Sequence, residues 1–254
     1  MIIDTHAHYD NKRFNDDRYP LIESLPAAGI KTVINVGCDL ESSHASIRLA
    51  EKFPFVYATV GAHPHYVKHL DDNKLDKMKN LCNHKKVVAY GELGLDFFHN
   101  FSPQTAQIHW FKRQLELTHE LNLPAVIHAR EAHDKTAKII EESKVRKGVV
   151  HSFSGNADLA KFYVGLGFHI GIGGVITFDK SGVLEGVVHA IPLEWLLLET
   201  DCPYLTPAPY RGKRNDSAKL IYVAEKIAEI KRISTDEVCR VTTANAEQLF
   251  GVNR

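Results

Sequence analysis

The chain has 254 residues, 44% hydrophobic and 24% charged, enough for a sizeable core, and no apolar run approaches the ~20 residues of a membrane span. Lysine plus arginine equal aspartate plus glutamate at 31 each, which excludes a global field that gathers polyanions and leaves nucleic-acid affinity to a local patch. Cys38, Cys82, Cys202 and Cys239 form no C-x-x-C pair, and no basic region precedes the first apolar run, so reduced thiols, no signal peptide and a cytoplasmic location are expected.

In chain order, residues 1–4 form the first predicted strand, and His6 and His8 follow it. Two imidazoles spaced two apart at a strand end project to one side and suit one metal ion. Residues 32–36 are the second strand. Residues 56–60 are the third, with His63 just beyond. Residues 87–91 are the fourth, followed by Glu92 in a glycine-flanked loop. Ser102 as N-cap and Pro103 at the first helical position open a helix carrying Ile108, Phe111 and Leu115 at helical spacing. The fifth and sixth strands, 125–128 and 148–151, each end in a histidine, His128 and His151. Residues 168–172 and 195–199 complete the set, and Asp201 lies just past the last. Ser234 and Glu237, in capping-box spacing, open the final helix, which closes at Gly251.

Near-continuous hydrophobicity suits strands buried on both faces of a parallel sheet. Eight such strands with intervening helices predict a single domain over residues 1–254 with the α/β (β/α)8 TIM-barrel fold. In an open doubly wound sheet the candidate ligands, which follow strands 1, 4, 5, 6 and 8, would lie spread along a row. Closure makes strand 8 a neighbour of strand 1 and lets Asp201 meet His6 and His8. Singly, each candidate has a plain reading: a chance His-x-His, a surface glutamate, a satisfied histidine after an apolar run. Their recurrence at strand ends, and the cost of an unpaired buried carboxylate at Asp201, favour a hydrolytic metal site.

Seven stretches carry a resemblance. They are Asp4-Thr5-His6-Ala7-His8, Gly61-Ala62-His63-Pro64-His65, Gly91-Glu92-Leu93-Gly94-Leu95-Asp96, Ile127-His128-Ala129-Arg130, His151-Ser152-Phe153-Ser154-Gly155, Glu199-Thr200-Asp201-Cys202-Pro203-Tyr204-Leu205 and Arg211-Gly212-Lys213-Arg214-Asn215. In this order they resemble the TatD family of metal-dependent deoxyribonucleases, within the amidohydrolase-like barrels. The resemblance implies two divalent metal ions. His6 and His8 hold one, His128 and His151 the other, Glu92 bridges them, and Asp201 joins the first. It also implies 3′→5′ exonuclease action on DNA. Two departures stand out: Ser152 where the family often has Cys, and Asp216-Ser217 where it has Glu-Pro.

Charge arithmetic favours a phosphate substrate independently. Four neutral imidazoles and two carboxylates around two dications leave about +2, which attracts a phosphodiester and its more anionic transition state. Asp201 is assigned to orient the attacking water and take its proton, with Glu92 and His63 completing the catalytic set; His63 is expected to hydrogen-bond a phosphate oxygen. Arg130 shares strand parity with His128 and has a planar fork suited to phosphate. Arg211, Lys213 and Arg214 supply a local basic patch for backbone phosphates. Aromatics after the strands, Tyr66, Phe97, Phe98, Phe153, Tyr204 and Tyr210, offer rings for unpaired bases, so single-stranded DNA or free ends are the expected partner. Histidine-rich ligation favours zinc or manganese over magnesium, although magnesium is the ion commonly ascribed to the family. The competing readings are an amidohydrolase acting on an amide or ester, and a metal-stabilised interaction module without catalysis.

Overall fold

Eight apolar segments pair edge to edge as parallel strands: β1 (Ile2–Ala7), β2 (Ile30–Asn35), β3 (Val56–Val60), β4 (Val87–Asp96), β5 (Ala125–Arg130), β6 (Gly148–Val150), β7 (Phe168–Ile172) and β8 (Leu196–Leu198). Each strand pairs with the next, from β1 through to β8, in a computed structural model that describes residues 1–252. Closure is made just beyond β8. Thr5 Oγ1 donates to the Leu198 carbonyl at 3.0 Å, Asp201 N–H to the His6 carbonyl at 2.9 Å, and His8 N–H to the Cys202 carbonyl at 2.9 Å. The result is a nearly closed (β/α)8 TIM barrel. All three bonds involve the segments that carry His6, His8 and Asp201, so the act of closure brings the strand-1 and strand-8 candidate ligands together.

The other end of the barrel is plugged from the C-terminus. Ile3, Val88, Val126, Val149 and Leu197 share one apolar cluster with Ala246, Leu249 and Phe250 of the helix Thr235–Phe250. Outside, the helices bury one face each; the helix Gln104–Leu121 contributes Phe111 and Leu115 to the larger core cluster. Apolar packing below and around the strands leaves their carboxyl ends as the open mouth, where barrels of this kind carry their sites. No helix among the described residues is long and apolar enough to cross a membrane.

The structure corrects three local expectations. Strand β4 does not stop at Gly91 but runs on to Asp96, so Glu92 sits within a strand and not in a loop. Glycine makes this possible: Gly91 and Gly94 have φ of 141° and 148°, and a Cβ on Gly94 would stand 2.0 Å from the His128 carbonyl oxygen. Ser102 does not cap the next helix. Pro103 takes the cap position, while the Ser102 hydroxyl donates to the His65 carbonyl at 2.9 Å and accepts from Lys68 N–H at 3.1 Å. Tertiary partners therefore outcompete the local cap. At the last helix the Ser234 side chain accepts from Glu237 N–H at 3.1 Å and Gly251 closes in the left-handed region. The Glu237 carboxylate, however, pairs with Arg240 and leaves the capping box half made.

Candidate metal centre

Glu92 is 3% exposed, with no lysine or arginine against its carboxylate among the ion pairs described, so imidazoles alone compensate its charge. Its two oxygens face different groups. On one side, Oε2 lies 3.4 Å from His6 Nε2 and 3.9 Å from His8 Nε2. Asp201 Oδ1 closes that group at 3.3 Å from His8 Nε2 and 3.9 Å from His6 Nε2. On the other side, Oε1 lies 2.8 Å from both His128 Nδ1 and His151 Nε2, and 3.3 Å from His63 Nε2. Each strand supplies its part for a simple reason. His6 and His8 alternate at the end of β1, Glu92 projects from the middle of β4, His128 lies within β5 two residues before its end, and His151 follows the end of β6. Asp201 sits in a turn beyond β8 with φ of 53°, a left-handed conformation that Asp tolerates better than most side chains.

The donor set fits cations better than it fits hydrogen bonds. Three ring nitrogens converge on Glu92 Oε1, one more than an oxygen with two lone pairs accepts. His6 Nε2 and His8 Nε2 stand 3.1 Å apart, and the buried Nδ1 atoms of His6 and His151 have no hydrogen-bond partner. Neutral imidazole nitrogens and carboxylate oxygens at these separations are what a borderline divalent ion takes as ligands. Ring tautomers agree. The Val36 carbonyl accepts from His8 Nδ1 at 3.1 Å, which leaves the His8 Nε2 lone pair aimed into the site. Asp96 Oδ2, 3.4 Å from His128 Nε2, does the same for His128 Nδ1. His63 is different. Its Nδ1 accepts from His65 N–H at 3.1 Å, so its Nε2 presents a hydrogen rather than a lone pair to Glu92.

Electrostatics point the same way. Burial opposes ionisation of Glu92, yet His151, His63 and His128 hold its carboxyl well below the usual range. Asp201 is likewise held low against burial by its hydrogen bond to His8. His151 moves well above its ordinary value despite burial, drawn up by Glu92 and Glu199. Burial pushes His63 down to about 3, which keeps it a neutral donor. The carboxylates thus demand positive charge at the mouth of the barrel.

A layer behind these groups holds them in place. The Asp4 carboxylate accepts from Thr200 N–H at 3.0 Å, Thr200 Oγ1 at 2.6 Å and Ser217 Oγ at 2.6 Å, tying β1 to the turn that carries Asp201. Burial raises Asp4 to about 6. Ser217 is one of the two departures noted above, and it makes a buried contact that a proline could not. The other departure, Ser152, uses its backbone N–H to donate to Glu199 Oε1, a bond its side chain does not affect. Asp4, Asp96 and Glu199 all lie inside recognised motifs, but their roles depend on partners from other segments.

The outer candidates scatter. Arg130 lines a cavity of about 900 Å³ above the site, with its guanidinium 4.3 Å from the Phe98 ring centroid. Arg211 lies outside that lining, stacked 3.6 Å from the Phe178 centroid and donating to the Thr206 carbonyl at 3.1 Å. Arg214 makes a two-pronged ion pair with Asp17 and sits over Phe14. Lys213 is exposed, its Nζ 5.9 Å from the Tyr210 ring. Of the aromatics, Phe153 is buried, whereas Tyr66 and Tyr204 line the cavity with roughly half their surface free.

The family described as TatD related DNase matches residues 3–251. An uncharacterized metal-dependent hydrolase of Bacillus subtilis, YabD, is 38% identical, with all of both chains covered. A protein of Edwardsiella piscicida named 3′-5′ ssDNA/RNA exonuclease TatD is 34% identical over 98% of this chain and 99% of its own. Among solved structures, the TatD homologue YjjV of Escherichia coli K12 superposes with a TM-score of 0.93 at 33% identity, covering 99% of this chain and 98% of that one.

Proposed function

This chain belongs to the TatD-related DNase family of metal-dependent hydrolases, and on that premise we propose that it hydrolyses DNA phosphodiester bonds with two divalent cations, as a 3′→5′ exonuclease acting on single-stranded ends. The observation that carries this reading is the division of Glu92, one oxygen toward His6, His8 and Asp201 and the other toward His128 and His151. A carboxylate divided in this way could be shared by two ions, and such a pair would supply the Lewis acidity an in-line phosphodiester displacement needs.

His6, His8, Glu92 and Asp201 would hold one cation, and Glu92, His128 and His151 the second. Bound there, the cations supply Lewis acidity and offset the charge that develops on the phosphate. Asp201, ionised and 17% exposed toward the cavity, orients the attacking water and accepts its proton. His63, neutral and with its Nε2–H fixed by the bond to its Nδ1, donates to a phosphate oxygen. Arg130 lines the same cavity, where its fork suits a neighbouring phosphate of the strand.

Single-strand preference follows from the rim. Tyr66 and Tyr204 offer exposed faces beside the cavity, with Arg13 5.8 Å from the Tyr204 ring centroid. Splayed bases stack on such rings, whereas paired bases present no free face. Imidazole-rich ligation suits zinc or manganese for tight binding, with magnesium as a competent ion at higher concentration.

The test follows end-labelled single-stranded DNA with magnesium, manganese or zinc supplied separately, comparing wild type with Glu92→Gln and Asp201→Asn. Metal-dependent shortening from the 3′ end, lost in both variants, is the expected result. Equal digestion by the variants, or turnover of neutral amides and esters with DNA left intact, would overturn the proposal.

A further inference from the structure

A second convergence of imidazoles lies on the cavity wall outside the Glu92 centre. Asp96, the last residue of β4, is 1% exposed. Its Oδ1 is taken by two backbone donors, Phe98 N–H at 3.1 Å and His99 N–H at 2.8 Å. Its Oδ2 faces three ring nitrogens: His65 Nε2 at 2.7 Å, His99 Nδ1 at 3.0 Å and His128 Nε2 at 3.4 Å. An oxygen has two lone pairs. His128 must donate there if its Nδ1 is to ligate, so His65 and His99 together offer one donor more than Oδ2 accepts.

We infer that His65, Asp96 and His99 form a further cation site, for a zinc-class divalent ion bound by two imidazoles and one carboxylate. Their ligand atoms lie within 4.8 Å of one another. Nitrogen and oxygen ligands in a two-to-one ratio are a set that zinc, cobalt and nickel favour. The side chains are held ready for it. His65 is positioned by its backbone donation to His63 and by Ser102 on its carbonyl, and Phe101 packs edge-on to the His65 ring and stacks with the His99 ring at 5.1 Å. His65 and His99 are 20% and 31% exposed and line the large cavity, so an ion reaches them from solvent.

Three protein ligands leave a position open to water or to a substrate oxygen. The ion would stand at the cavity wall and add positive charge along the path of a polyanion. Through Asp96 it would also compete for the oxygen that orients His128. The inference rests on the proposed function only in assigning His128 as a ligand through Nδ1; the His65, Asp96 and His99 geometry stands apart from it.

Metal counting separates the two readings. Chelator-stripped protein is dialysed against Zn2+, and bound metal per chain is measured for wild type, His99→Gln, His65→Gln, the His65→Gln/His99→Gln double variant, and Glu92→Gln. Folding of each is checked by its unfolding midpoint. The expected result is one ion fewer in each single histidine variant and no further loss in the double. Glu92→Gln should still retain one ion, and adding His99→Gln to it should remove that ion. With Co2+ in place of Zn2+, the visible absorption of Glu92→Gln should disappear on adding His99→Gln. Equal counts in wild type and His99→Gln, or no ion retained by Glu92→Gln, would overturn the inference. A Glu92→Gln variant with the full wild-type count would instead sink the bridging role of Glu92 and leave this site standing.

Discussion

Asp96 Oδ2 lies 3.4 Å from His128 Nε2, across the imidazole from the Nδ1 that faces Glu92 at 2.8 Å. Burial opposes ionisation of Asp96, but hydrogen bonds from His128, His99 and His65 hold its carboxyl far below its ordinary range. It therefore stays anionic and keeps the His128 proton on Nε2. Asparagine removes that charge. Asp96→Asn should weaken ion binding on the His128 side of Glu92 by about 10- to 100-fold, the usual cost of losing such a partner. Competition against a chromophoric chelator reads this directly, in a His99→Gln background so that the outer trio does not contribute. Activity should return as metal is raised; affinity unchanged from wild type would contradict the positioning role.

Metal removal should destabilise the fold itself. His6, Glu92 and His151 are buried, and His6 and His151 stack at 3.9 Å between ring centroids. Without ions the strand ends hold carboxylates and imidazoles that only protons can reconcile. One ion bound at 100 times its dissociation constant contributes about 2.7 kcal/mol. For a chain of this size that corresponds to a rise of roughly 5–10 °C in Tm. A chelator added before a calorimetric scan should lower the midpoint by that amount, and Glu92→Gln should abolish most of the difference. Equal midpoints with and without chelator would mean that no ion is held at the strand ends.

Much of this architecture is legible from residue order alone, for identifiable reasons. Strands sealed on both faces must be almost wholly apolar, so the runs at 56–60 and 168–172 coincide with β3 and β7. The two-residue spacing of His6 and His8 puts both rings on one side once a strand is assumed. Glu92 is harder. Glycines at 91 and 94 read as a loop, because only the pressed contact of β4 against β5 shows that they exist to let backbones approach within a strand. Asp96 is harder still, since two of its three histidine partners lie 31 and 32 residues away on other segments. Arg214 is the opposite case. Its charge is plain in the sequence, but its partner Asp17 is 197 residues distant, so the ion pair that engages the guanidinium cannot be read from residue order.

If the chain binds DNA as proposed, that pairing should make the two cations of the basic loop unequal in their effects on it. Lys213 is exposed beside Tyr210, whereas Arg214 is engaged by Asp17 and Phe14. Lys213→Ala should weaken single-stranded DNA binding about equally across sequences and reduce the slope of log affinity against log salt by about 1. Arg214→Ala should leave that slope alone and cost at most about 1 kcal/mol of stability, the ceiling for a largely solvated pair. Anisotropy of a labelled oligonucleotide, measured in a Glu92→Gln background to prevent digestion, distinguishes them. Equal slopes for both variants would place the phosphate contacts elsewhere.

Acid sensitivity has a source far from the metal centre. His169 on β7 packs against Trp195 at 5.0 Å between centroids, and its buried Nδ1 has no hydrogen-bond partner. Burial lowers it to about 4, against a backbone hydrogen bond at Gly148 that works the other way. In the unfolded chain the same ring titrates near 6.5. The folded state therefore excludes a proton that the unfolded state takes up. Its contribution is complete above about pH 6.5 and is lost progressively as pH falls toward 4. Between pH 7 and pH 5 wild type should lose about 1–2 kcal/mol more than His169→Gln, which has no proton to bind. Urea unfolding of both proteins with chelator present at each pH, so that metal release does not intrude, gives the difference. A gap between them that stays constant from pH 7 to pH 5 would show that His169 is solvated enough to titrate alike in both states.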